Sequence, residues 1–233
     1  MGTGLQWSVA TFNPNSQIFK YSVKPPIPKL LLITDLHVCT DLEQAITQAL
    51  AGGVEHILLR IKNCNEESQL SHWAKKLHIL TQSQKAHLLI SGDIDVAMAF
   101  NNVGLHLPGR AMATLKARKL LGDNRLLGRS CHDLNDALTA IKEGADYITL
   151  SPLFATQSHP EATPLGLQQF TAIKEKIPGP ILALGGIDAK NTPAAINAGA
   201  YGVALIRGIL GHPSPKDAAR ELLQQIEYTK SSR

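Results

Sequence analysis

QALAGGVEHILL (48–59), TAIKEGADYITL (139–150) and AAINAGAYGVAL (194–205) are three copies of one pattern. Each has a helix end, then a glycine (Gly53, Gly144, Gly199), then an apolar strand. Glycine at that place supplies the left-handed cap that stops a helix. A fourth stretch, AMAFNNVGLHL (97–107), carries Asn102 there, the next best residue for that conformation. Working outward, short apolar runs recur along the chain: KLLLIT (29–34), EHILLR (55–60), AHLLIS (86–91), GLHL (104–107), RLLGRS (125–130), YITL (147–150), PILAL (180–184) and GVALI (202–206). Helical spacing lies between them, as in 42–51, 66–82, 133–142 and 192–198. Continuous apolar strands alternating with helices indicate a parallel sheet covered on both faces. Eight such units in about 200 residues predict a single α/β domain, a closed (β/α)8 TIM barrel; a doubly wound open sheet is the alternative.

The chain has 233 residues, 44% hydrophobic and 18% charged, which excludes bulk disorder. Residues 1–28 are polar, end in prolines and hold no period, so they are expected to be an extension or linker. The barrel is expected over 29–228, with a tail at 229–233. No apolar run reaches the ~20 residues of a membrane span, and 1–28 carries no apolar segment of the signal-peptide kind. The three cysteines (Cys39, Cys64, Cys131) form no CxxC pair, which fits a cytoplasmic protein. Net charge is +4 with scattered basic residues and 5% aromatics. That composition argues against nucleic acid and for an anionic small-molecule partner.

Barrel active sites form at the C-terminal ends of the strands. Polar residues there are Asp35, Arg60, Lys62, Ser91, Ser130, His132, Ser151, Thr156, His159, Gly185, Gly186 and Arg207. Arg60 and Lys62, two apart, share a strand face and would point two cations into the mouth; pairing with Asp35 is the competing use. LGGID (184–188) leaves strand seven and is expected to open a helix, so Gly185 and Gly186, with Ile206–Arg207 after strand eight, suit a backbone-amide phosphate site. His132 follows strand five and is placed for acid–base work or for the start of a helix capped by Asp133. His106 is expected to pack or hydrogen-bond inside the barrel. Cys131 beside His132 makes no dyad, since sequence neighbours seldom face each other. No metal cluster stands out: Asp35 alone is near, and Asp93 and Asp95 look like first-turn helix residues.

Taken together, LLRIK (58–62), ISGDIDVA (90–97), GLHL (104–107), GRSCHD (128–133), ADYITLSPLFATQSHP (145–160), ALGGI (183–187) and GVALIRGI (202–209) resemble the thiamin-phosphate synthase and thiazole-tautomerase superfamily. LHLPGR (105–110), SCHD (130–133) and LSPLFATQSHP (150–160) are most similar to the synthase-like domain fused behind Nudix hydrolases of the 8-oxo-dGTP type. NSQIFKYSVKPP (15–26) is similar to the linker there, and no Nudix box occurs in the chain.

The resemblance implies a phosphorylated heterocycle as substrate, a homodimer and a functional link to a Nudix hydrolase. It implies substrate contacts at Arg60, Lys62, Ser91, Ser130, Thr156 and His159, and phosphate contacts at Gly185, Gly186, Ile206 and Arg207. The family's synthases couple a pyrimidine pyrophosphate to thiazole phosphate with Mg²⁺, on the patterns Q-L-R-x-K, I-N-D-R and H-L-G-Q-x-D. Here Leu58 stands for the Gln, Ser91 and Gly92 for the Asn and Asp, Ala111 for the later Asp and His159 for the loop Lys. The superfamily's tautomerases also lack the metal carboxylates and use a histidine that His132 matches. The expectation is therefore, first, a cofactor-free, metal-independent thiazole tautomerase with His132 catalytic. A thiamin-phosphate synthase using Mg²⁺ comes second, and a non-catalytic phosphate-ligand module third.

Overall fold

The computed structural model describes residues 24–62, 67–158 and 160–232. Eight strands close into a parallel barrel in sequence order: β1 (Leu30–Ile33), β2 (His56–Leu59), β3 (His87–Ser91), β4 (Gly104–Leu107), β5 (Leu127–Cys131), β6 (Tyr147–Leu150), β7 (Ile181–Leu184) and β8 (Gly202–Leu205). β8 pairs with β1, so the sheet has no open edge, and the doubly wound alternative is set aside. Between and after the strands run α1 (Leu42–Ala51), α2 (Glu67–Ser83), α3 (Ile94–Met98), α4 (Thr114–Leu121), α5 (Leu134–Lys142), α6 (Gly166–Lys174), α7 (Thr192–Asn197), α8 (Arg207–Leu210) and α9 (Pro215–Ser231).

The repeats behave as their sequence predicts. Gly53, Gly144 and Gly199 have φ of 103°, 98° and 103°, and Asn102 has φ of 60°. Each ends a helical turn in the left-handed region and releases the chain into a strand.

Strand alternation divides the apolar residues into two layers. Leu31, Ile33, Leu58, Leu89, Tyr147, Leu182 and Ala204 cluster in the barrel interior. Their neighbours Leu30, Leu32, Ile57, Leu59, Leu88, Ile90, Ile148, Ile181 and Val203 face outward, into a larger core beneath the helices. The inward positions turn polar toward the C-terminal ends: Arg60 follows Leu58, Ser91 follows Leu89, and Thr149 follows Tyr147. Ser130 pairs in register with Thr149 and is equally inward. A polar mouth therefore sits on an apolar plug.

Of the N-terminal extension, residues 1–23 lie outside the described residues, as does most of the linker-like stretch 15–26. Residues 24–28 run under the barrel. The Lys24 ammonium meets Asp146 at 2.7 Å, and His56 Nε2 lies 3.0 Å from the Pro26 carbonyl. Among the described residues no helix is long and apolar enough to cross a membrane.

Candidate active site

The mouth begins at the join of β1 and β2. The Thr34 hydroxyl donates to the Arg60 carbonyl and accepts from the Arg60 N–H, both at 2.9 Å. This clasp fixes the backbone from which Arg60 and Lys62 project. Lys62 Nζ lies 3.8 Å from Asp35 Oδ2, and Asp35 is buried, so the carboxylate that competes for these cations is present and takes Lys62. Burial draws the Arg60 guanidinium below its usual range, and Asp35 opposes that shift. Two half-buried cations thus share one carboxylate, which leaves net positive charge for an anion.

Ser91 ends β3, half-buried. Gly92 follows it, its N–H donating to the His106 carbonyl at 2.9 Å. Asp93 caps α3 by accepting from the Val96 N–H at 2.9 Å, and Asp95 is exposed in the first turn. Both aspartates are thus the helix-start residues that their spacing predicts.

β5 delivers three side chains with three roles. Ser130 points inward and is half-buried. Cys131 is buried on the outer side, its thiol pushed up to about 12 by burial, with Asp136 and Asp133 adding to the rise and Arg129 opposing it. Such a thiol makes no nucleophile. His132 is exposed at the rim, and its Nδ1 lies 2.8 Å from the Ser151 carbonyl oxygen. A carbonyl only accepts, so Nδ1 carries the hydrogen, and in the neutral ring Nε2 keeps a free lone pair. Nε2 faces Gly109, where an added Cβ would sit 3.6 Å away. Arg129 holds that neighbouring loop by donating to the carbonyls of Met112 (2.7 Å) and Gly109 (3.0 Å).

The loop after β6 is zipped onto β7: Leu153 N–H donates to the Leu184 carbonyl at 2.8 Å and Phe154 N–H to the Gly185 carbonyl at 3.0 Å. Gly185 and Gly186 have φ of 97° and 65°. A Cβ on Gly185 would fall 2.7 Å from Pro152, and one on Gly186 2.8 Å from Phe154 Cβ, so glycine is required for closeness as well as conformation. The pair does not open a helix directly. Asp188 Oδ1 accepts from the N–H groups of Lys190 and Asn191, both at 2.9 Å. Asn191 Nδ2 donates back to the Gly186 carbonyl at 2.7 Å, and α7 starts only after this braced turn. Ile206 is the N-cap of the four-residue α8 and Arg207 its exposed first residue. Thr156 is half-buried and accepts from the Ser158 N–H at 3.3 Å. His159 lies outside the described residues.

The strand ends therefore bring Arg60, Lys62, Ser91 and Ser130 to one mouth, with His132, Thr156, Gly185, Gly186, Ile206 and Arg207 on its surrounding loops. A magnesium–pyrophosphate site needs convergent carboxylates. Gly92 and Ala111 offer none, Asp93 is spent on its helix cap and Asp35 on Lys62. Among the described residues no three His, Cys, Asp or Glu side chains group to hold an ion. The donor set does not fit the metal.

Sequence reasoning singled out His106 only as a packed or hydrogen-bonded residue. It is fully engaged: Nδ1 lies 3.1 Å from the Tyr147 hydroxyl and Nε2 3.0 Å from Ser130 Oγ. In the sequence Tyr147 stands out only as part of the strand YITL. The available signal was strand parity, since His106, Gly128 and Tyr147 all fall on inward positions.

Comparison with known proteins agrees in extent with the barrel. The family described as Thiamine monophosphate synthase matches residues 30–209. A relative from Geobacter sulfurreducens is 42% identical over 197 residues, covering 83% of this chain and 92% of that one. A thiamine-phosphate synthase of Clostridium acetobutylicum is 34% identical over 203 residues, covering 85% and 95%. Among solved structures, a thiamine phosphate pyrophosphorylase from Pyrococcus furiosus superposes with a TM-score of 0.78 at 30% identity, covering 86% of this chain and 96% of that one.

Proposed function

The chain belongs to the thiamine monophosphate synthase family, and on that premise we propose that it is a thiamine-phosphate synthase, a transferase joining a pyrimidine pyrophosphate to thiazole phosphate. One observation carries the reading: the likeness to proteins named for that activity runs end to end, over 95% of the C. acetobutylicum synthase. The family relation reverses the order in which the substitutions at Ser91, Gly92 and Ala111 alone would rank the activities.

The roles follow from charge and position. Arg60 and Lys62 take the pyrophosphate oxygens and balance the charge that leaves as pyrophosphate departs. Ser130 and Ser91 add hydrogen bonds from the adjoining strand ends. Gly185, Gly186 and the Ile206–Arg207 amides hold the thiazole phosphate, with Thr156 adding a contact from the loop after β6; a contact from His159 is carried by the family resemblance alone. Because the donor set does not fit Mg²⁺, the cations of the chain itself carry the leaving charge. The test is product formation from both substrates, with Mg²⁺ varied from zero to millimolar. Thiamine phosphate formed at a rate above the buffer supports the synthase, and no product at any Mg²⁺ concentration rejects it.

A second reading, a metal-independent thiazole tautomerase, is favoured by one observation. His132 is held with Nδ1 protonated and Nε2 free at the rim of the mouth, as a proton carrier needs. Its assay is aromatisation of the thiazole phosphate carboxylate without metal.

A cytoplasmic location, pairing of two barrels and a functional link to a Nudix hydrolase belong to the same proposal. The location rests on the cysteine usage, the pairing on the family resemblance, and the Nudix link on the motifs similar to the Nudix-fused branch.

A further inference from the structure

We infer that His106 is a positioning residue: a buried chain from Tyr147 through His106 sets the Ser130 hydroxyl as a hydrogen-bond donor toward an acceptor atom of the ligand in the mouth. The ligand end of this inference rests on the proposed function. The chain itself rests on geometry.

Tyr147 is fully buried, and among the described residues its hydroxyl has one partner, His106 Nδ1 at 3.1 Å. A phenol proton buried without an acceptor costs about 1–3 kcal/mol. Tyr147 therefore donates and Nδ1 accepts. A neutral imidazole that accepts at Nδ1 carries its hydrogen on Nε2, and Nε2 lies 3.0 Å from Ser130 Oγ. Burial, with the Arg129 charge assisting, draws the His106 pKa down to about 3, which keeps the ring neutral. On the other side Thr149, also fully buried, donates its hydroxyl to Ser130 Oγ at 3.4 Å.

A serine hydroxyl has one proton and two acceptor sites. Ser130 spends both acceptor sites on His106 and Thr149, so its own proton points to its half-exposed side, the mouth. It can give a hydrogen bond there but cannot receive one. A ligand atom at that place is an acceptor, and beside Arg60 and Lys62 an anionic oxygen fits best. Gly128 makes the arrangement possible. It stands in register between His106 and Tyr147, and a Cβ on it would collide with both rings.

The test is nitrogen NMR of the histidine-labelled protein at neutral pH, with inorganic pyrophosphate as the binding probe. The expected result is His106 with Nε2 protonated and Nδ1 bare. Tyr147→Phe should give a mixture of the two tautomers. Both Tyr147→Phe and Ser130→Ala should weaken pyrophosphate by about fivefold, the worth of one hydrogen bond. The double variant should lose little more than either alone. A proton on Nδ1 in the wild type would overturn the chain. Unchanged pyrophosphate affinity in Ser130→Ala, with binding lost in Arg60→Ala, would overturn the donor role and leave the mouth an anion site. The Nε2 tautomer in a protein that binds no pyrophosphate would count against the proposed function instead.

Discussion

The His132 ring donates through Nδ1 to the Ser151 carbonyl at 2.8 Å, which ties the end of β5 to the start of the loop after β6. The same bond fixes the tautomer, so a side chain at the rim offers a bare Nε2 next to Gly109. If proton transfer on a thiazole phosphate is catalysed here, His132→Ala lowers turnover by about 10²-fold or more, the usual worth of a positioned base, and leaves ligand affinity close to wild type. Turnover followed by NMR without metal, equal in variant and wild type, would remove His132 from the chemistry.

Arg60 is half-buried in the mouth and shares Asp35 with Lys62. Arg60→Ala should weaken inorganic pyrophosphate by roughly tenfold or more, in line with a hydrogen bond to a charged group. Titration calorimetry reads this directly. An affinity within twofold of wild type would show that the anion binds elsewhere.

Gly128→Ala places a methyl group against both His106 and Tyr147. Overpacking of this kind costs about 1–3 kcal/mol, a lowering of Tm by several degrees for a chain of this length. Thermal unfolding of the variant checks it. An unchanged Tm would mean that the two rings move apart freely.

Two buried histidines make stability fall in acid. His56 is drawn down to about 4, mainly by burial and further by His87, with the Pro26 carbonyl opposing; His106 is drawn down to about 3 by burial. Their unfolded pKa lies near 6.5. Both are neutral when folded and protonated when unfolded between those values. Their contribution is therefore whole above pH ~6.5 and is lost as pH falls toward 4 and then 3. Urea titrations at pH 7 and pH 5 should show the lower stability at pH 5. The His56→Gln variant should flatten part of that slope, and equal slopes would contradict the assignment.

The barrel was legible because its signals are local and repeated. Gly53, Gly144, Gly199 and Asn102 mark helix ends, and each apolar run is one buried strand. Arg60, Lys62, Ser91 and Ser130 could be found by strand parity, which needs no knowledge of contacts. The fates of their neighbours were less legible. Whether Asp35 pairs with Lys62 depends on how the β1 and β2 ends converge across 26 intervening positions of sequence. The His106–Tyr147–Ser130 chain joins three strands, and its polarity follows from which hydroxyls are buried. The Asp188–Asn191 turn between Gly186 and α7 leaves no local signal, because Gly-Gly before a helical pattern reads as a direct helix start.

Synthase activity is read in a coupling assay. Wild-type protein is mixed with the pyrimidine pyrophosphate and thiazole phosphate, and thiamine phosphate and released pyrophosphate are measured together as Mg²⁺ is raised from zero. Both products are expected in equal amounts, with Arg60→Ala reducing the rate. No thiamine phosphate at any Mg²⁺ concentration, from a folded protein that binds thiazole phosphate, would contradict the synthase function.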